Sequence, residues 1–391
     1  MKVTGIKRIG KTFADMDKTL FFITLILIVF GTLNIVTASS REAVVNADVS
    51  LFYFFYKHMI ILAASLISFI VILRIDTKKY RAYIPFLYCV CVGLNLYLIF
   101  KGVATRGASN WIDLKFIKIQ PSEISKPIVI MFISLLFELF NKKLSNKNEK
   151  HDGMIWRILI YGLLIPVIVF FQRDLGTSII LLGIFGVLYF SSPISKSEKL
   201  KSAIIVGIMG VIILFAVSNF SGNLLSDAQK SRFDFYNPCS KYTTNGYQIC
   251  NAFIAINNGG LTGVGIGKST QKYSYIPEPH TDMVFSIIAE ENGVLICSLI
   301  FLFYLIILYR ILKLSMKVKS IKDRYICLGI ATYIFLHILV NLGGLFGLIP
   351  LTGVPLPFLS YGGSFTLSLI SSLAVVQRIH IEYKNEKIKI K

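Results

Sequence analysis

The sequence predicts an all-α polytopic membrane protein of about ten transmembrane helices, with a large extracytoplasmic loop between helices 7 and 8. Three observations carry that expectation. Of the 391 residues, 54% are hydrophobic and the mean hydropathy is +0.67, more apolar than soluble domains usually are. The apolar residues gather in runs of about 17–25, enough to cross a hydrocarbon core of about 30 Å, and do not alternate with polar ones as barrel strands would. The basic residues, which give a net charge of +20, sit in short clusters between the runs, as cytoplasmic loops do. Clusters of this kind meet anionic membrane lipid, so nucleic acid is not the expected partner.

Ten spans follow: 19–39, 58–73, 84–100, 124–140, 158–171, 176–190, 202–219, 284–309, 325–345 and 364–377. Together they read as one transmembrane domain over 1–391. The fifth and sixth are so close in sequence that they predict a tight helical hairpin. Six short segments (1–18, 74–83, 141–157, 191–201, 310–324 and 378–391) hold 28 of the 41 Lys and Arg residues. This asymmetry puts the N-terminus 1–18 and the C-terminus in the cytoplasm and requires an even number of spans. The first span follows Lys7, Arg8, Lys11 and Lys18. Its length and the lack of a clean small-residue cleavage site favour a retained anchor over a signal peptide.

The outer face then owns loop 101–123, the hairpin tip Gln172–Gly176, loop 219–283 and the Pro/Gly-rich stretch 346–363. In the long loop, Tyr247, Ile249, Phe253, Ile254 and Ile256 suggest an amphipathic helix lying on the membrane surface. Cys239 and Cys250 share that loop, either as a disulfide or as two free thiols. The remaining cysteines, in or beside spans, read as apolar fillers, and no pair has zinc-site spacing.

Polar residues at this face carry the candidate chemistry. Pro277-Glu278-Pro279-His280-Thr281-Asp282 leads directly into the eighth span. The prolines stiffen the approach. Asp282 reads either as the helix N-cap or as a general base at headgroup depth, with His280 as the rival base because histidine titrates nearer neutrality. Glu290 and Glu291 lie about two turns into the span. Ionised groups there are costly unless partnered, which marks either a functional site or an ion pair with a neighbouring helix. Spacing by four puts Asp282, Ser286 and Glu290 on one helical face.

Gln120-Pro121-Ser122-Glu123 is good opening grammar for the fourth span. Capping does not explain Lys126 inside the apolar run; at i+3 it can pair with Glu123 and line an outward-opening polar cavity. Upstream, Arg106, Lys115 and Lys118 can hold a pyrophosphate, and Trp111 reads as an interfacial anchor. Asp174 reads as a turn residue at the hairpin tip. Ser360 to Ser364, after Pro350, Pro355 and Pro357, predicts irregular backbone, tolerated only where protein-buried or lining a cavity. Gly263 to Ser269 mimics a phosphate loop, but Thr262 stands where its first glycine belongs. Its glycines are read as tightly turning backbone.

These residues resemble the shape, elongation, division and sporulation (SEDS) family over nearly the whole chain. The resemblance rests on Gly107-Ala108 with Trp111-Ile112; Gln120 to Glu123 with Lys126; Asp174-Leu175-Gly176-Thr177; and Gly246-Tyr247-Gln248. It extends through Asn258-Gly259-Gly260, Pro277-Glu278 with His280-Thr281-Asp282, Glu290-Glu291, and Pro357 to Ser364. It implies a peptidoglycan glycan-strand polymerase in the bacterial plasma membrane that acts on lipid II and undecaprenyl-pyrophosphate-linked glycan. It puts the catalytic aspartate at Asp282 and the fourth-helix Glu–Lys pair at Glu123 and Lys126. Arg106, Trp111, Lys115, Gln120, Ser122, Asp174, His280, Glu290 and Ser360 complete the expected substrate-binding set. It also implies a class B penicillin-binding protein as cross-linking partner. No metal-ligand spacing is evident, though a divalent cation (Mg or Mn) remains an open source of positive charge. Ser109 and Asn110 stand where relatives commonly carry arginine, and Arg173 where proline is usual. Gly265 to Lys272 and Ala38-Ser39-Ser40 look division-type, Gly353 to Phe358 more elongation-type; the balance leans to division.

Two rival readings exist. A lipid II flippase also fits many helices with buried charge, but needs polar groups through the full membrane depth, whereas the acidic residues cluster in the outer third. An inert scaffold leaves Lys126, Glu290 and Glu291 unexplained.

Overall fold

The computed structural model describes residues 12–41, 49–50, 52–105, 108–113, 118–144, 152–221, 235, 237–241, 246–273 and 276–390. Among them are ten long helices: α1 (Lys18–Arg41), α2 (Tyr53–Arg74), α3 (Tyr80–Lys101), α4 (Pro121–Leu144), α5 (Asp152–Phe171), α6 (Leu175–Ser191), α7 (Lys196–Ser221), α9 (Val284–Lys317), α10 (Ile321–Leu345) and α11 (Gly363–Ile390). A shorter helix, α8 (Tyr247–Gly259), precedes α9. Each expected span falls inside one long helix, which runs on past it at one or both ends. Helical hydrogen bonding does not stop where hydropathy does, because long basic side chains reach out of the apolar layer.

Seven of the helices, α1–α3, α5 and α9–α11, are long and apolar enough to cross a membrane. The protein is therefore an all-α polytopic membrane protein. One element departs from that description. Loop 101–123 carries a small antiparallel sheet in the order β1 (Val103–Thr105), β2 (Ala108–Asp113), β3 (Lys118–Ile119).

Burial ranks the helices. The apolar windows of α10 and α11 are 78% and 72% buried, that of α2 only 17%. The first two form the inside of the bundle and α2 its rim. The α5–α6 hairpin forms as expected: Arg173 turns the chain at φ 63°, the Phe185 ring fills the space over Gly162, and Ser178 Oγ donates to Pro166 O at 2.9 Å.

One end of the bundle gathers charge. Arg310 pairs with Asp17 at 2.7 Å, Arg378 with Glu382 at 2.8 Å and with Asp76, and Arg81 with Glu138. Lys322 Nζ donates to Thr77 O, and Tyr325 to Ser191 O. Segments that the basic-residue count assigns to one side thus meet at one end, together with both ends of the described chain. Loops 101–123, 246–283 and 346–362 meet at the opposite end.

There the expected amphipathic helix forms as α8, with Ile254 on its exposed face. The α8 helix turns Ile249, Ala252 and Ala255 into the protein. It lies so close to α9 that a Cβ on Gly259 would sit 2.0 Å from Ala289 O. Cys239 and Cys250 form a disulfide, which decides against two free thiols and ties the 3₁₀ turn Pro238–Lys241 to α8.

Candidate active site

Asp282 precedes α9 and is 4% exposed. It is not the helix cap: the N-cap position is Met283, with no side-chain capping bond. Its carboxylate has other surroundings. Thr281 Oγ1 lies 3.0 Å from Oδ1. Oδ2 faces Gly353, where an added Cβ would come within 3.8 Å. Gly353 is exposed and has φ +75°, so exposed backbone without a side chain lies directly beside the carboxylate.

The segment carrying Gly353 threads through the middle of the site. Asn341 on α10 donates to both Asp282 O (2.7 Å) and Val354 O (2.8 Å), tying the start of α9 to this segment. Thr352 packs against Gly176, the second residue of α6. Ser360 Oγ accepts from Leu356 N at 2.8 Å and closes the irregular turn. Ser360, expected to contact substrate, thus also shapes the backbone beside the site. Of the irregular stretch expected at Ser360 to Ser364, Ser360 is buried, Tyr361 and Gly362 are half-buried, and Gly363 and Ser364 already belong to α11.

Glu123 and Lys126 pair at 2.6 Å on α4, both side chains almost wholly buried. A buried charge needs more than one partner to offset its lost hydration, and Lys126 has three. Its ammonium also meets His337 Nε2 at 2.9 Å and lies over the Tyr333 ring at 5.7 Å. Glu123 Oε2 and Ser122 Oγ have no hydrogen-bond partner among the described residues.

Asp174 does two things. Oδ1 caps α6 by accepting from Thr177 N, as a turn residue should. Oδ2 accepts from Asn110 Nδ2 at 2.7 Å and Gln120 Nε2 at 2.8 Å, joining loop 101–123, the start of α4 and the hairpin tip. Trp111 follows Asn110 in β2, half-buried. Arg106 and Lys115 lie outside the described residues.

His280 is 2% exposed. Its ring packs on Phe54 at 4.5 Å and near Tyr361 at 5.4 Å, and its carbonyl accepts from Tyr361 N. Burial pushes the Tyr361 phenol up to about 12, which keeps it a neutral donor at physiological pH.

Glu290, expected to contact substrate, holds a set of protein donors. Ser269 and Thr270 hydroxyls, the Thr270 and Gln271 amides and Asn258 all donate to its carboxylate. Glu291 pairs with Lys272 at 2.8 Å, so its partner is a loop and not a neighbouring helix. Loop 259–273 folds back here because α9 breaks at Gly293 (φ 74°). The Val264 and Gly265 amides reach the Glu290 and Glu291 carbonyls. Gly263, Gly265 and Gly267 all have positive φ, the tight turning expected of them. Because Asp282 precedes the helix, it shares no helical face with Glu290.

Sequence reading missed Asn341, His337 and Gly353. Two of these had a visible signal: His337 and Asn341 are polar residues one turn apart inside an apolar span, which marks a facing partner.

The model of the FtsW/RodA/SpoVE family, described as cell cycle protein, matches residues 18–385. The chain belongs to this family. Two FtsW/RodA/SpoVE relatives align almost end to end. A probable peptidoglycan glycosyltransferase FtsW from Wigglesworthia glossinidia brevipalpis is 31% identical over 97% of each chain. Peptidoglycan glycosyltransferase MrdB from Escherichia coli K12 is 30% identical over 96% of each. The fold of this FtsW/RodA/SpoVE protein also matches a chain of a peptidoglycan synthase complex, solved in work on how that complex coordinates polymerization and crosslinking. The TM-score is 0.70 at 20% identity, covering 93% of this chain and 97% of the other.

Proposed function

We propose that this protein is a peptidoglycan glycosyltransferase that polymerises glycan strands from lipid II, with Asp282 as general base. One observation carries the reading: a buried carboxylate, just ahead of the N-cap of its helix, faces the exposed backbone of Gly353 at the end of the bundle away from the clustered basic segments. In the proposed reaction Asp282 takes the proton of the 4-hydroxyl of an acceptor lipid II. That oxygen bonds to C1 of the donor sugar as the bond from C1 to the pyrophosphate oxygen breaks. The centre inverts and undecaprenyl pyrophosphate leaves with the electron pair. A positioned base supplies roughly 10²–10⁴-fold. Positive charge for the leaving group comes from Lys126, set by Glu123, and from Arg106 and Lys115 in loop 101–123. Trp111, Gln120, Ser122, Asp174 and His280 line the approach. A divalent cation (Mg or Mn) is the other source considered. Among the described residues no three His, Cys, Asp or Glu side chains are grouped to hold one, so no step is routed through it.

The site lies on the outer face of the bacterial plasma membrane, with both termini cytoplasmic. Two independent features support this orientation. The basic segments meet at the opposite end, as cytoplasmic loops would. The Cys239–Cys250 disulfide lies at the site's own end, and disulfides persist in oxidising compartments. The strand product calls for a cross-linking enzyme, and a class B penicillin-binding protein is the proposed partner. The solved complex that coordinates polymerization and crosslinking supports this pairing. The sequence signals lean to a role in division.

Purified protein in proteoliposomes with fluorescent lipid II tests the reading. Polymer is expected. Lipid moved across the bilayer without polymer would establish a flippase instead, and neither product would leave a scaffold.

A further inference from the structure

The reading above assigns roles to Asp282 and to Glu123–Lys126 but not to what holds them in mutual register. The Glu123–Lys126 pair lies on α4, and Asp282 lies just ahead of α9. The irregular segment around Gly353–Pro355 lies beside Asp282 and is linked to Lys126 through His337. On α10, His337 and Asn341 grip consecutive carbonyls of that segment. Asn341 Nδ2 donates to Val354 O at 2.8 Å and, with its other hydrogen, to Asp282 O at 2.7 Å. His337 Nδ1 lies 3.2 Å from Pro355 O, and its Nε2 lies 2.9 Å from Lys126 Nζ.

The bonding chemistry fixes the imidazole tautomer. Pro355 O can only accept, so Nδ1 carries the proton. With Glu123 at 2.6 Å, Lys126 is the natural ammonium donor, and Nε2 accepts from it. The ring cannot turn to escape this role. It stacks on Phe365 at 4.4 Å and 17° and meets Tyr333 edge-on at 4.9 Å. His337 and Asn341 are 0% and 2% exposed. Each therefore has one partner in the central segment and a second beyond it, the Lys126 ammonium for His337 and the Asp282 main-chain carbonyl for Asn341, and the four-residue spacing puts both on one face of a buried helix.

We infer that His337 and Asn341 are positioning residues, a two-point clamp on α10 that sets the separation between the Asp282 carboxylate and the Lys126 ammonium. The inference rests on the polymerase reading. Its consequence is kinetic: misplacing one reacting group relative to the other lowers the rate of the bound complex more than it weakens binding. Glutamine can replace the imidazole in kind, since its oxygen accepts from Lys126 and its NH₂ donates to Pro355 O.

The test compares steady-state polymerisation of fluorescent lipid II by reconstituted wild type, His337→Leu, His337→Gln, Asn341→Leu and the double leucine variant. Thermal unfolding of each confirms a folded protein. The clamp predicts that His337→Leu lowers kcat by roughly ten- to a hundredfold with KM within about threefold, while His337→Gln stays within about threefold of wild type in both. It also predicts that the double variant loses little more than the worse single variant, because the two residues act as one unit. Wild-type kcat in His337→Leu, an equal loss in His337→Gln, a loss confined to KM, or multiplicative losses in the double variant would each overturn the clamp while leaving the polymerase intact. Absence of polymer from the wild type itself would overturn the polymerase reading, and the clamp with it.

Discussion

Asp282 and Glu290 are eight residues apart, both at least 96% buried and both at the start of α9, yet their surroundings are opposite. Glu290 is saturated by donors from loop 259–273, and its neighbour Glu291 is neutralised by Lys272. Asp282 leaves the capping position to Met283 and turns Oδ2 toward an exposed glycine. Burial of a carboxylate is therefore no mark of chemistry by itself. What separates the two is that Glu290 is enclosed by a loop, whereas exposed backbone without a side chain lies beside Asp282.

The contrast predicts separable effects on stability and activity. The largest stability effect belongs to the Glu290–Glu291 side. Lys272→Met leaves Glu291 buried without its ion pair, a defect that costs about 3–5 kcal/mol. Thermal unfolding should show a large drop in Tm, with activity per folded molecule close to wild type. A silent Lys272→Met would mean that the loop is not held by this pair.

The disulfide comes next. Its loss from an 11-residue separation costs about 3 kcal/mol on the chain-entropy estimate. Cys239→Ser should lower Tm accordingly. In intact cells a membrane-impermeant maleimide should label Cys250 in that variant but not in wild type. No labelling in the variant would place the loop on the other side of the membrane or leave the thiol covered.

Smaller still in stability is Gly353→Ala. The left-handed backbone there costs an L residue about 1–2 kcal/mol, while the new methyl group meets Asp282 Oδ2. Polymerisation should fall by tenfold or more, out of proportion to the change in Tm. Equal falls in both would mean that the glycine serves only the turn.

Much of this arrangement was legible before any coordinates. Hydropathy located every long helix because lipid leaves backbone polar groups no partner but the helix itself. The Glu123–Lys126 pair was legible because i, i+3 partners in one helix need no tertiary information. Asp282 was singled out, but its local sequence fits a cap equally well. Only the fold, which makes Met283 the cap, separates the two readings. Glu290 looked functional because an acid in an apolar run normally is. Its donors come from a loop that returns only because α9 breaks at Gly293, and no local pattern announces that return. The clamp on α10 was half legible: two polar residues one turn apart signalled a partner, but the partner is irregular backbone that periodicity does not describe. The strands of loop 101–123, two to six residues long, are too short to show alternation.

The most direct measurement is polymer formation from fluorescent lipid II by reconstituted Asp282→Asn, which keeps the side chain's size and removes its basicity. The account predicts that polymer falls by at least about a hundredfold while Tm stays within a few degrees of wild type. Polymer at the wild-type rate from a folded Asp282→Asn protein would contradict it.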